Sequence, residues 1–280
     1  MKCAWQAYLN IIPPWMRDEV DRIGRESLQE LRMRIHQQPV LVTGTGVCSL
    51  EKRTSCEDIA YSINAISNYS PWAATTICSG YITAIGGHRM GICGDVAVVN
   101  GKINTIKNVT SICIRVSREF PGIGEKAAQA DGSILIIGAP GRGKTTLLRD
   151  IIRCKSRLGA VAVVDERREL FPVSNGDFCF DTGCATDVLS GCNKRIGMQM
   201  LIRTMNPRWI AVDEITDEED CRGLIQAAWC GVGLLATAHA ENIDDFLNRP
   251  VYKQLVTNRI FQNVIVMHKD KSWTLERISI

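Results

Sequence analysis

The sequence predicts two domains, an α/β domain with a parallel sheet in the second half and a smaller α+β domain before it. Two observations support this division. From about residue 121 apolar strand-like segments alternate with helical ones, whereas residues 1–120 mix short helices with β segments. A length of 280 residues suffices for two ordinary domains. We therefore expect domains over 1–120 and 121–280.

The first half carries local signals for both helices and strands. Residues 30–35 (ELRMRI) alternate between apolar and polar, as in a half-buried strand. Ser55 and Asp58 have the spacing of a capping box, so we expect a helix to follow. Later segments such as RMGICGDVAVV, KINTI and ICIRV are β-like, and Asn100-Gly101 is typical of a hairpin turn between two of them.

The second half contains five apolar segments separated by helical ones: ILIIG, AVAVVD, WIAVDE, GLLATAH and FQNVIVMH. Near-continuous apolar strands of this kind indicate a parallel sheet covered by helices on both faces. Residues 170–192 lack clear periodicity. Long segments without regular structure inside compact domains tend to be functional.

Residues 138–145 (GAPGRGKT) fit the phosphate-loop pattern G-x-x-x-x-G-K-[ST] and lie between an apolar strand and a helix. In this pattern the glycines let backbone N–H groups turn toward a phosphate, the lysine adds positive charge, and the threonine hydroxyl is offered to Mg²⁺. A glycine-rich turn without a ligand would not need the lysine, so we predict binding of ATP with Mg²⁺. The residues predicted to contact the nucleotide are Gly138, Ala139, Pro140, Gly141, Arg142, Gly143, Lys144, Thr145 and Thr146.

A second buried strand, WIAVDE at 209–214, ends in two carboxylates. Asp213 is predicted to hold Mg²⁺ together with Thr145, and Glu214 to polarise a water molecule for attack on the terminal phosphate. A kinase has no use for a water-activating base, because its acceptor is a substrate hydroxyl. Glu214 therefore favours hydrolysis over phosphoryl transfer.

Further candidates follow two other strands. In hydrolases with such a glutamate, the strand ending here in ATAH lies between the loop strand and the acidic strand, so we predict that His239 at its end senses the terminal phosphate. Asp165, Glu166 and Glu169 follow the AVAVVD strand and could act on Mg²⁺ or water. The sequence does not separate the roles of these three.

Composition argues against several classes of protein. A net charge of +3, from 33 basic and 30 acidic residues, is too balanced to indicate a polyanion partner, so nucleic-acid binding is not expected. The twelve cysteines form no C-x-x-C pair, and we expect reduced thiols and no zinc. No stretch reaches the ~18 apolar residues that span a bilayer. We expect a cytoplasmic protein that reaches a membrane through protein partners.

Several segments, in this order, resemble the stage III sporulation protein AA family: VVDERREL, TDVLSGCNKRIGMQMLIRTMNP, WIAVDEI and LLATAHA. GYITAIGGHRMGICG in the first half resembles it as well, so the resemblance covers nearly the whole chain. That family is similar to the type II and type IV secretion ATPases. The resemblance implies a RecA-like P-loop NTPase domain that works in a homo-oligomeric ring, expected to be a hexamer.

The resemblance also implies a place and partners. The ring would lie under a membrane channel between mother cell and forespore, on the mother cell side, in contact with channel proteins of the sporulation secretion apparatus. DERRE matches the acidic box of secretion ATPases, which makes Glu166 and Glu169 candidate catalytic residues, and His239 matches their histidine box. Arg203, Arg89 and Arg115 are candidates for an arginine that reaches a neighbouring site. A RecA-like nucleic-acid-binding ATPase is the alternative that the sequence leaves open.

Overall fold

The computed structural model describes residues 1–67, 80–99, 102–174 and 176–277. The described chain forms two compact units. The first comprises Met1–Glu119 with Pro172–Phe180, and the second Phe120–Phe171 with Asp181–Ile280. The first unit is α+β and the second is α/β, so the predicted fold class is confirmed.

The first unit is an antiparallel sheet with three helices among its described residues, and its strands have the order β3-β2-β1-β6-β5-β4. Leu31, Met33 and Leu41 are fully buried in its core. Its elements, apart from short 3-10 turns at Pro14–Met16 and Ile85–Gly87, are α1 (Trp5–Asn10), α2 (Arg17–Ser27), β1 (Leu28–Arg34), β2 (Val40–Thr43), β3 (Val47–Ser49), α3 (Cys56–Ser67), β4 (Tyr81–Thr83), β5 (Arg89–Val99) and β6 (Lys102–Arg115).

Local sequence signals in this unit have local structural counterparts. The capping box is confirmed, because Ser55 N donates to Asp58 Oδ2 (2.9 Å) and Asp58 N donates to Ser55 Oγ (3.2 Å). KINTI and ICIRV, predicted as separate β segments, belong to the single long strand β6. The predicted turn at residues 100–101 lies outside the described residues, although β5 and β6 pair antiparallel up to Val99 opposite Lys102.

The second unit alternates strands and helices. Its elements, with a 3-10 turn at Pro250–Tyr252, are α4 (Glu125–Ala128), β7 (Ile134–Ile137), α5 (Lys144–Lys155), β8 (Val161–Asp165), β11 (Thr186–Ser190), α6 (Lys194–Met205), β12 (Trp209–Ile215), α7 (Glu218–Trp229), β13 (Gly233–Ala238), α8 (Ile243–Asn248), α9 (Lys253–Asn258), β14 (Asn263–Met267) and β15 (Trp273–Arg277). The short strands β9 (Val173–Ser174) and β10 (Asp177–Phe178) belong to the first unit.

The described strands of the second unit form one sheet in the order β11-β8-β12-β13-β7-β14-β15. All neighbours are parallel except β15, which pairs antiparallel with β14. β13 lies between β7 and β12, which confirms the predicted order. The carboxyl ends of β7, β8, β12 and β13 therefore meet at one edge of the sheet, where ligands bind in open α/β folds.

Residues 170–192 contain more regular structure than the sequence predicts. β11 lies there and pairs in parallel with β8 as the edge strand of the sheet. Its residues TDVLS are all half-buried, so no strong apolar run marks it. None of the helices in the described part of the chain has both the length and the apolar character that crossing a bilayer requires.

Candidate nucleotide-binding site

The phosphate loop joins the fully buried strand β7 to helix α5. Gly141 has φ 75° and Gly143, the N-cap of α5, has φ 96°. These left-handed angles favour glycine because it has no Cβ. The loop thus turns sharply and presents the first turn of α5 at the carboxyl end of β7, where backbone N–H groups can receive an anion.

Lys144 is the first residue of α5 and is 7% exposed. Its Nζ donates to Gly138 O (2.7 Å) and Ala139 O (3.1 Å) and lies 3.0 Å from His239 Nδ1. Burial lowers the pKa of Lys144, while the charges of Asp213 and Glu214 oppose this shift. The three N–H groups of this ammonium are thus directed at groups without a full negative charge, which makes the position suited to an anionic ligand.

Two hydroxyl groups hold the carboxylate of Asp213. Thr145 Oγ1 donates to Asp213 Oδ2 (2.7 Å), and Thr237 Oγ1 donates to Asp213 Oδ1 (2.6 Å). Burial raises the pKa of Asp213, and the two hydroxyl hydrogen bonds oppose this. The Thr145 hydroxyl and the Asp213 carboxylate therefore lie side by side, as hard oxygen donors of the kind that Mg²⁺ prefers.

Glu214 sits at a β-bulge. Val212 pairs with Ala236, and the next pair joins Ile215 to Ala238, so β12 contains one residue more than β13 over this interval. Glu214 has φ 57°, a left-handed conformation uncommon for a residue with a side chain. Its backbone N donates to Thr237 Oγ1 (2.7 Å). Bulges re-aim side chains, and this one lets two consecutive residues, Asp213 and Glu214, both serve the same edge of the sheet.

His239 connects Glu214 to the phosphate loop. Since the Lys144 ammonium can only donate, His239 Nδ1 accepts from it, and the ring proton lies on Nε2. Nε2 then donates to Glu214 Oε1 (2.9 Å). The other carboxylate oxygen, Oε2, accepts from Arg167 Nη1 (2.8 Å). The structure therefore brings the predicted residues Lys144, Glu214 and His239 into one chain of hydrogen bonds.

The carboxylates after β8 differ in their surroundings. Asp165 is buried and accepts from the backbone N–H groups of Glu169 and Phe171 (both 2.8 Å), so it organises its own loop. Burial raises its pKa, and these hydrogen bonds oppose the shift. Arg149 of α5 fixes the same loop by donating to the carbonyl of Glu169 (2.9 Å). Glu166 Oε2 accepts from Lys194 Nζ (2.9 Å).

Glu166, Glu169, Asp213 and Glu214 line one cleft together with Lys194. The sequence predicted the four carboxylates but missed Lys194 and Asp220, its second partner. A signal was available, because a lysine at the first position of a helix is unfavourable to the helix dipole and calls for a nearby negative charge.

Other predicted residues lie elsewhere in the chain. Arg203 is exposed in the last turn of α6, about 14 Å along the helix axis from Lys194. Its action in a neighbouring site stays a prediction. In the first unit Arg115 pairs with Glu30 (3.1 Å), and the Arg89 guanidinium stacks 3.7 Å from the centre of the Tyr81 ring.

The remaining loop residues surround the start of α5. Pro140 is exposed, and Arg142 and Thr146 are half-buried. Among the described residues, no group of three or more His, Cys, Asp or Glu side chains could hold a metal ion by itself. Thr145 and Asp213 could contribute two of the oxygen ligands that Mg²⁺ prefers.

A mostly parallel sheet with this strand order, a phosphate loop after β7 and a double carboxylate at the end of β12 define a RecA-like P-loop NTPase fold. The profile of the family described as "Sporulation stage III, protein AA" matches residues 11–277. Stage III sporulation protein AA of Bacillus subtilis is 32% identical over 276 residues, which cover 93% of this chain and 90% of that protein. The chain belongs to the stage III sporulation protein AA family, as its motifs predicted.

The fold is shared with solved structures of other proteins. The ATPase DotB of Legionella pneumophila has a TM-score of 0.61 and 18% identity, and the match covers 95% of this chain and 80% of DotB. The pilus retraction motor PilT with bound ADP has a TM-score of 0.56 and 12% identity, and the match covers 92% of this chain and 80% of PilT. At such identities the likeness concerns the fold alone.

Proposed function

We propose that this protein hydrolyses ATP with Mg²⁺ and converts the energy into mechanical work. The observation that best supports the proposal is one hydrogen-bonded network at the edge of the sheet. It joins Lys144 and Thr145 of the phosphate loop to Asp213, Glu214 and His239. Hydrogen bonds thus link a candidate base to the group that would hold the phosphates and to the groups that would hold Mg²⁺.

In this proposal residues 138–146 hold the phosphates, and Lys144 contributes the positive charge. Thr145 and Asp213 would hold Mg²⁺, whose charge offsets that of the phosphoryl oxygens. Because Asp213 is kept in place by two hydroxyl groups rather than by a cation, its negative charge stays available to a metal ion.

Glu214 is the base that accepts a proton from the attacking water. Both of its oxygens have partners, His239 on one side and Arg167 on the other. The Arg167 side chain is 57% exposed, and exposed ion pairs are weak, so Arg167 is the partner that yields most readily to a water molecule. His239 keeps the glutamate oriented, and any change in the partners of Lys144 reaches Glu214 through the same imidazole.

We further propose that the protein works as a homo-oligomeric ring of six copies at a membrane channel of the sporulation secretion apparatus, on the mother cell side. Family membership supports the link to sporulation. DotB is an ATPase and PilT a motor, and both share the fold. In a ring, Arg203 of one copy would act on the site of its neighbour, and Glu169 would assist at the cleft. The first unit or an exposed face of the ring would contact the membrane partners.

Two substitutions separate binding from turnover. Lys144→Ala should lose nucleotide affinity and activity together, because it removes the charge that holds the phosphates. Glu214→Gln should keep affinity for a fluorescent ATP analogue and lose about 100-fold or more in phosphate release, the range of a general base. Glu276→Gln makes the same chemical change at an exposed position of β15 and should behave as wild type. Normal turnover in Glu214→Gln would refute the assignment of the base.

The same assay distinguishes the motor from a nucleic-acid-dependent ATPase. Single-stranded DNA or RNA should leave the rate of phosphate release unchanged. A nucleic-acid motor couples hydrolysis to strand binding, and its contacts with phosphates weaken as salt is added. Stimulation of about tenfold or more that fades with salt would therefore favour the alternative.

A further inference from the structure

Lys194 is a buried lysine that lines the cleft, and the phosphate loop does not account for it. It is the first residue of α6 and is 5% exposed. Its Nζ donates to Glu166 Oε2 (2.9 Å) and to Asp220 Oδ2 (3.1 Å). Burial lowers its pKa, but the hydrogen bonds and charges of Glu166 and Asp220 outweigh burial and raise the pKa overall. Lys194 is therefore charged at neutral pH.

The stability of α6 does not explain this lysine. Asn193 already caps the helix, because its Oδ1 accepts from Ile196 N (3.4 Å). A cation in the first turn opposes the helix dipole, and a buried ion pair is often no more stabilising than an apolar side chain of similar size. The hydrogen-bond partners of the Lys194 side chain therefore give a better account of why a lysine occupies this position.

One connection leads to the main chain beside Glu214. Asp220 Oδ2, which accepts from Lys194, also accepts from Thr216 N (2.9 Å) and Thr216 Oγ1 (3.0 Å). Thr216 directly follows β12 and lies two residues after Glu214. Lys194 thus neutralises the buried carboxylate that anchors the chain as it leaves the bulge.

The bulge needs anchors on both sides. Glu214 has φ 57°, and such a conformation persists where its surroundings fix it. On the β13 side, Thr237 Oγ1 accepts from Glu214 N. On the α7 side, Asp220 accepts from Thr216 N. Without the charge of Lys194, the buried carboxylate of Asp220 would keep only the hydroxyl and amide of Thr216 as partners of Oδ2. Glu166 would lose its ion pair with Lys194, in a cleft that is also lined by the carboxylates of Glu169 and Glu214.

We propose that Lys194 is a positioning residue for hydrolysis, which holds the chain beside Glu214 through Asp220 and fixes the Glu166 carboxylate in the cleft. The role in hydrolysis rests on the proposed ATPase function. Lys194 acts through these two carboxylates, so its loss should affect turnover far more than nucleotide binding.

The test compares Lys194→Met with Lys155→Met. Lys155 is another buried lysine, 3% exposed, whose Nζ donates to Ala130 O (2.7 Å), and it ends α5 about 16 Å along the axis from Lys144. Lys194→Met should lower kcat about tenfold to a hundredfold, as expected for a displaced catalytic group. Its affinity for a fluorescent ATP analogue should stay within about threefold of the wild-type affinity, which is a small change in binding free energy. Lys155→Met should keep the wild-type kcat.

A conservative substitution separates positioning from general destabilisation. Lys194→Arg keeps the charge and should recover part of the lost rate. An unchanged kcat in Lys194→Met, or no recovery in Lys194→Arg, would overturn the proposal.

Hydrogen exchange tests the anchor without relying on turnover. Amides in residues 213–217 should exchange faster in Lys194→Met than in wild type, whereas Lys155→Met should leave them unchanged. If wild type does not hydrolyse ATP, the proposed function fails, and the exchange result alone decides whether Lys194 anchors the bulge.

If Lys194→Met does not fold, Thr216→Val removes only the hydroxyl contact with Asp220 and should still lower kcat at unchanged affinity. Unchanged exchange in Lys194→Met, or an unchanged kcat in Thr216→Val when wild type is active, contradicts the proposal.

Discussion

Thr237→Val is the sharpest perturbation of the site, because it keeps the shape of the side chain and removes one hydroxyl. Thr237 is fully buried. Its Oγ1 donates to Asp213 Oδ1 (2.6 Å) and accepts from Glu214 N (2.7 Å). The substitution leaves the backbone N–H at the bulge and one carboxylate oxygen without this partner.

The magnitude follows from the burial of these two groups. A buried polar group without a partner costs about 1–3 kcal/mol. Glu214 and Asp213 are both half-buried, so water can replace part of each lost bond. We therefore expect the free energy of unfolding of the second unit to fall by about 2–4 kcal/mol, and kcat to fall with it, because Glu214 loses its anchor on the β13 side.

Denaturant unfolding of wild type, Thr237→Val and Thr237→Ser measures this directly. Serine keeps the hydroxyl and removes one methyl group, so it should cost only about 1 kcal/mol and retain activity. A valine variant as stable and as active as wild type would refute the argument. So would a serine variant that loses as much as the valine variant, because the loss would then come from packing and not from the hydroxyl.

Two further outcomes are expected. If the site is shared between copies, ATP stabilises their association by mass action. Glu214→Gln should therefore sediment as a hexamer with ATP and as smaller species without it. A monomer at saturating ATP would contradict a ring that assembles by itself. In the first unit, burial lowers the pKa of His88 from 6.5 to about 4, so below pH 6.5 the unfolded chain takes up a proton that the folded chain does not. Wild type should therefore lose about 2 kcal/mol of stability between pH 7.5 and pH 5, and His88→Gln should show a flatter dependence in the same unfolding assay; equal slopes would contradict this assignment.

Local patterns determined much of this protein. The glycines around Lys144, the apolar strands before the loop and before Asp213, and the capping box at Ser55 each depend on residues close in sequence, so their structures follow from propensity, steric freedom and periodicity. The order of β7, β12 and β13 also followed from the motifs at their ends. Family membership followed from the same motifs taken in order.

Tertiary structure alone decided which side chains share a partner. Lys194 meets Glu166 and Asp220, Arg149 meets the carbonyl of Glu169, and Arg167 meets Glu214, over 20 to 47 residues of sequence. The bulge that turns Glu214 toward the edge of the sheet depends on the register of β12 with β13. Burial and charge pairing act between atoms that packing brings together, so a one-dimensional pattern names the residues but not their partners.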